Sequence, residues 1–106
     1  MRGKKARSQR VSEKSVYVFH SHTFGCTKVG VSVNPEARCK VFARLDWRLN
    51  DLRVIKAWQR AGDAYQIETL AHHMLSEHHA RHEWFHCAPE VAVAVVDGIV
   101  SARCPS

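Results

Sequence analysis

The stretch TKVGVSVNPEARCK, residues 27–40, changes its period half-way. Lys28 to Val33 alternates polar and apolar residues, the pattern of a strand with one face in a core. It sets Val29, Val31 and Val33 on one side and Lys28, Gly30 and Ser32 on the other. Asn34 then supplies an N-cap side chain, and Pro35 suits the first helical position, where a missing N–H costs nothing. The stretch therefore predicts a strand running straight into a helix that continues to about Trp47.

Outward from this junction, Val16 to Phe19 is a β-branched and aromatic run, and His20 to Gly25 is a polar, glycine-ended connection of hairpin length. An antiparallel pair results, with Leu52 to Trp58 as a third strand. Asp63 and Gln66, spaced as a capping box, open a second helix whose Ile67, Leu70, Ala71, Met74 and Leu75 form one apolar stripe. His78 to His82 reads as a polar turn and Glu83-Trp84-Phe85 as a short extended plug closing the core. A last helix starts at Pro89 and runs to about Val100. The expected fold is α+β and sandwich-like, a small three-stranded antiparallel sheet flanked by helices.

With 106 residues and 45% apolar content the chain suits one domain with a modest core. Five of its sixteen basic residues (Arg2, Lys4, Lys5, Arg7 and Arg10) fall in the first ten positions, leaving eleven bases against ten acids elsewhere. Residues 1–14 are accordingly expected to be a disordered basic tail or nucleic-acid arm, and residues 15–106 the folded domain. Within the body, residues 38–60 carry seven Lys/Arg against Asp46 and Asp51, whereas residues 61–106 carry six acids against Arg81 and Arg103. A basic segment facing an acidic one suits a phosphate-binding surface beside a cation site, and equally suits two solvated faces that attract each other. Cys26, Cys39, Cys87 and Cys104 form no Cys-x-x-Cys pair, no apolar signal segment opens the chain, and no apolar run is long enough for a membrane span. These features lead us to expect a cytoplasmic protein with reduced thiols.

Several residues fit a plain core poorly. On a helical wheel Arg38 shares the apolar stripe of Val41, Phe42 and Leu45, so its guanidinium must either snorkel out or reach a carboxylate, a carbonyl or a bound anion. Glu68 and His72, four residues apart, border the stripe of the second helix, where they form either a surface pair or a half-sheltered cation and proton site. The eight histidines match no closed zinc spacing.

Taken in order, Val16-Tyr17-Val18, Lys28-Val29-Gly30-Val31-Ser32, Asn34-Pro35-Glu36-Ala37-Arg38, Ile67-Glu68-Thr69-Leu70-Ala71-His72 and Glu83-Trp84-Phe85 resemble the GIY-YIG nuclease superfamily. The similarity is to its phage-associated branch, over roughly residues 15–95. That resemblance implies a GIY-YIG-like fold and hydrolysis of DNA phosphodiester bonds with one divalent cation, Mg2+ or Mn2+. Tyr17 would orient or deprotonate the attacking water, Arg38 would bind the scissile phosphate, and Glu68 would hold the metal. Lys28 stands where the superfamily pattern has tyrosine, and the general base is left among Tyr17, Lys28 and His72. Gly30 would let the phosphate approach the strand, and Ser32, Lys40, Arg44 and Arg48 would contact nucleic acid. The alternative is a nucleic-acid-binding module of the same fold without turnover. Cutting both strands would call for a homodimer or a partner protein.

Overall fold

A computed structural model describes residues 14–59 and 63–103. Apart from Lys14, the expected basic tail lies outside the described residues, as does Cys104. Strands β1 (Ser15–Ser21) and β2 (Cys26–Ser32) form the predicted hairpin in continuous register from Ser15↔Ser32 to Ser21↔Cys26. Its turn closes because Gly25 takes the left-handed conformation, φ 72°, and donates its N–H to the Ser21 carbonyl at 2.8 Å. Asp51 reaches across to accept from the Ser21 hydroxyl at 2.6 Å and from the Thr23 amide and hydroxyl at 2.9 and 3.0 Å. These donors hold the Asp51 carboxyl at about 2.

Helix α1 (Pro35–Leu45) follows, capped by Asn34, whose side chain accepts from the Ala37 amide at 3.1 Å. A 3-10 turn at Trp47–Leu49 leads into β3 (Arg53–Trp58), which pairs antiparallel with β1 through a bulge between Val18 and Phe19. Helix α2 (Ala64–Met74), a 3-10 turn at Ser76–His78, β4 (His79–Arg81), β5 (Trp84–Phe85) and helix α3 (Pro89–Arg103) complete the chain.

The sheet corrects the sequence expectation. It has five antiparallel strands in the order β3-β1-β2-β5-β4, not three. The two extra strands contain three and two residues, too short to display an alternating pattern; Trp84–Phe85 lies in the segment read as extended, His79–Arg81 in the one read as a turn. His82, at φ 54°, makes the tight reversal between them, and its carbonyl accepts from His79 Nε2 at 2.7 Å.

Alternation along β1 and β2 divides the core in two. Val16, Val18 and Val29 face Ala64, Ile67 and Ala71 of α2 and Ala92, Val96 and Ile99 of α3. Tyr17 and Phe19 face the other way, onto Cys39 of α1 and onto Leu49 and Leu52. Here the helical wheel misleads. Cys39 is the buried residue of α1, its thiol 3.4 Å from the Leu52 carbonyl, whereas Val41 and Leu45 are 37% and 77% exposed. Leu49 and Leu52, just downstream, cover the sheet area that Val41 and Leu45 were expected to cover. The stripe on α2 is likewise narrower than predicted, since Leu70 and Met74 are exposed. Among the described residues no helix is long and apolar enough to cross a membrane.

Candidate nucleic-acid site

The β5 strand pairs with β2 only at Thr27 and Lys28, so the β2 edge beyond Lys28 has no strand beside it. Helix α2 fills that gap. His72 Nε2 donates to the Val29 carbonyl at 2.8 Å, since a carbonyl can only accept, and this bond fixes the orientation of the ring and leaves Nδ1 turned away from the strand. Glu68, one turn earlier and half-buried, is thereby carried round the sheet edge toward the Tyr17 face. Burial pushes its carboxyl up; Glu83 adds to this while His72 and Lys28 oppose it.

On that face, register sets Tyr17 opposite Gly30 and Phe19 opposite Lys28. The Tyr17 ring stacks on Phe19 with centroids 3.8 Å apart and 13° between planes. It also lies across Gly30 so closely that a Cβ there would overlap the phenol oxygen. The space above Gly30, expected to admit a phosphate, is therefore filled by tyrosine. Burial pushes the Tyr17 hydroxyl up to about 12 despite the Arg38 guanidinium beside it.

Arg38 is exposed, not in the core. It leans over the Phe42 ring at 5.1 Å, within reach of the Tyr17 hydroxyl and of solvent. Lys28 behaves in the opposite way: its side chain is 6% exposed, ion-paired to Glu83, and held 5.2 Å from the centre of Phe42 and 5.6 Å from that of Trp84. Burial works to raise the Glu83 carboxyl, but its bond to Lys28, with His72 and Arg38 nearby, holds it below the usual range. The structure thus gathers Tyr17, Arg38, Glu68 and His72 around Lys28 and Glu83.

The proposed nucleic-acid contacts do not all join them. Ser32 uses its hydroxyl to accept from the Asn34 amide at 3.1 Å. Lys40 and Arg44 are exposed, but lie about 200–240° around α1 from Arg38 at 100° per residue. Arg48 is bound to Asp46 at 2.8 and 3.0 Å and stacked over Phe24 at 5.4 Å. Reading Glu83-Trp84-Phe85 as one plug also missed a split that strand geometry requires: neighbours point to opposite faces, so Phe85 enters the core while Trp84 covers Lys28. Among the described residues, no three His, Cys, Asp or Glu are arranged to hold a metal ion, which leaves no zinc centre built from the histidines.

Comparison with known families matches the T5orf172 domain over residues 14–100. The chain belongs to the T5orf172 family. This match corrects the resemblance to GIY-YIG nucleases, for the family is a different one. The misreading came from motifs of three to six residues, each too short to separate nuclease-like families. No curated protein and no solved structure matches the chain. The T5orf172 domain is phage-associated and nuclease-like, and its function is nucleic-acid-related.

Proposed function

We propose that this T5orf172 domain hydrolyses DNA phosphodiester bonds with the help of a divalent cation. The observation that carries the reading is Glu68, a half-buried carboxylate with no ion-pair partner among the described residues. It stands across Lys28 and Glu83 from an exposed arginine. A carboxylate there repels a bound phosphate unless a cation lies between them.

The donor set suits Mg2+ or Mn2+ better than zinc, because Mg2+ commonly takes only one or two protein carboxylates and fills its remaining positions with water and substrate phosphate. Glu68 would hold the ion, which would supply charge neutralisation at the reacting phosphate. The remaining chemistry belongs to the chain. Arg38 offers two parallel N–H donors to the non-bridging oxygens. Tyr17, kept protonated at neutral pH, donates a hydrogen bond and orients a water or phosphate oxygen; it is not the base. Lys28 is committed to Glu83, so its ammonium contributes positive potential and rigidity. That leaves His72 to take the proton from water through Nδ1, with Nε2 anchored on Val29.

One observation favours a second reading, a module that binds nucleic acid without turnover: no group of three metal-ligating side chains exists among the described residues. Incubation of the purified protein with plasmid and branched DNA in Mg2+ or Mn2+, beside Glu68→Ala, separates the two. Cation-dependent cutting that the variant loses supports the nuclease. Equal cutting by both overturns the role of Glu68, and binding without cutting by wild type overturns hydrolysis and leaves the module.

A further inference from the structure

Behind Trp84, on the side away from Lys28, lies a pocket of about 570 Å3 between the β1–β2 turn, the 3-10 turn after α1 and the β4–β5 hairpin. Its walls include Phe24, Arg48, Arg81, His82, Trp84 and His86. Phe24 and Trp84 meet edge to face, with centroids 5.9 Å apart and 88° between planes, forming an aromatic corner open to solvent. Arg48 covers Phe24, and its charge is matched by Asp46, the acid in the lining. Arg81 has no carboxylate partner among the described residues and leaves the pocket net positive.

We propose that this pocket receives the base of an unpaired nucleotide next to the phosphate held by Arg38, with Arg81 on that nucleotide's own phosphate. The inference rests on the nucleic-acid reading and adds a substrate class, DNA that offers an extrahelical or single-stranded base. Three features favour a base over other ligands. Its flat π-system suits an aromatic corner. Its polar edge finds the ring nitrogens of His82 and His86. Its phosphate complements the one unmatched charge. A metal is a poorer fit, since no three ligating side chains converge among the described residues although Cys26 Sγ and His86 Nδ1 are 3.5 Å apart.

Position strengthens the case. Trp84 is a wall common to the pocket and to the Lys28 site, so a base on one side and a phosphate on the other belong to neighbouring nucleotides. The wall is also fixed: the left-handed backbone at His82, braced by His79, sets the short hairpin that carries Trp84. A base entering it is taken out of the stack, which costs least where it is already unpaired.

The test is fluorescence anisotropy with the full chain, in chelator and again in Ca2+, on three labelled DNAs: a fully paired duplex, the same duplex with one extra unpaired nucleotide, and that duplex with the extra nucleotide abasic. Wild type is expected to bind the base-bearing bulge about tenfold more tightly than the abasic one, the size of one base–aromatic stack. Phe24→Ala should lose that preference, and Arg81→Ala should weaken both bulges alike, each while holding the paired duplex within about twofold. Equal binding of the two bulges by wild type overturns the pocket while leaving the nucleic-acid reading intact if the paired duplex is bound. A uniform loss on all three DNAs in both variants also overturns it, since the residues then serve folding alone. Failure of wild type to bind any DNA overturns the nucleic-acid reading and the pocket together.

Discussion

The phenol ring of Tyr17 lies flat across Gly30, its cross-strand partner, so that one residue's lack of a side chain is the other's seat. A Cβ at position 30 would sit 2.9 Å from Tyr17 Cε1 and closer still to the hydroxyl end of the ring, which is pinned between Phe19 and the sheet. Gly30→Ala is expected to cost about 1–3 kcal/mol in urea unfolding through overpacking. In a Tyr17→Ala background the same substitution should cost much less, because the obstacle is gone. A double-mutant cycle showing additive costs would mean that the ring can move aside.

The Lys28 and Glu83 pair is lopsided, and its two halves should not be equally sensitive. Lys28 is buried, whereas the Glu83 side chain is 49% exposed. Glu83→Ala strands an ammonium among Phe42 and Trp84, but Lys28→Met leaves only a carboxylate that water can reach. Glu83→Ala is therefore expected to be the more destabilising change, by about 1–3 kcal/mol, with Lys28→Met near neutral. Chemical denaturation of both variants measures the ranking, and the reverse order would remove Lys28 from its buried setting.

Tyr17 gives an alkaline signature. Burial raises its hydroxyl to about 12, so the proton is retained longer in the folded state than in the unfolded one. The resulting stability is fully present below pH ~10, the unfolded value, and is lost as pH rises through about 12. Absorbance at 295 nm, wild type minus Tyr17→Phe, should rise only near pH 12. A difference appearing near pH 10 would show an accessible phenol and reopen Tyr17 as a base.

The hairpin, α1 and β3 were legible in the sequence because each combines a clear period with a turn or cap residue, such as Asn34 ahead of Pro35. So was the sharing of one sheet face by Lys28 and Gly30, which alternation alone dictates, whereas placing Tyr17 on that face takes the hairpin register. The rest depends on tertiary packing. Nothing local tells that Leu49 and Leu52 replace Val41 and Leu45 over the sheet, or that α1 buries Cys39 and leaves Arg38 exposed at the rim. Glu83-Trp84-Phe85 reads as extended, but nothing in it announces the pairing with β2, and the shortness of β5 is what opens the β2 edge to His72 and Glu68.

Glu68 ties stability to function in a way that calorimetry can read. Burial raises its carboxyl above the ordinary glutamate range. A carboxyl raised by folding stabilises the fold fully below its unfolded pKa, and that contribution is lost as pH rises through the folded value. At neutral pH the ionised side chain therefore weighs against the cation-free fold. Glu68→Gln removes the charge and keeps the shape, so in chelator at pH 7 it is expected to melt above wild type, with the gap closing as the pH falls through the glutamate range. Adding Mn2+ or Mg2+ should raise the wild-type Tm, because a ligand bound only by the native state stabilises it by mass action, and should leave Glu68→Gln unmoved. If the variant melts lower in chelator, Glu68 is a structural partner and not a site held open for a cation. If both proteins respond equally to the ion, the cation binds elsewhere.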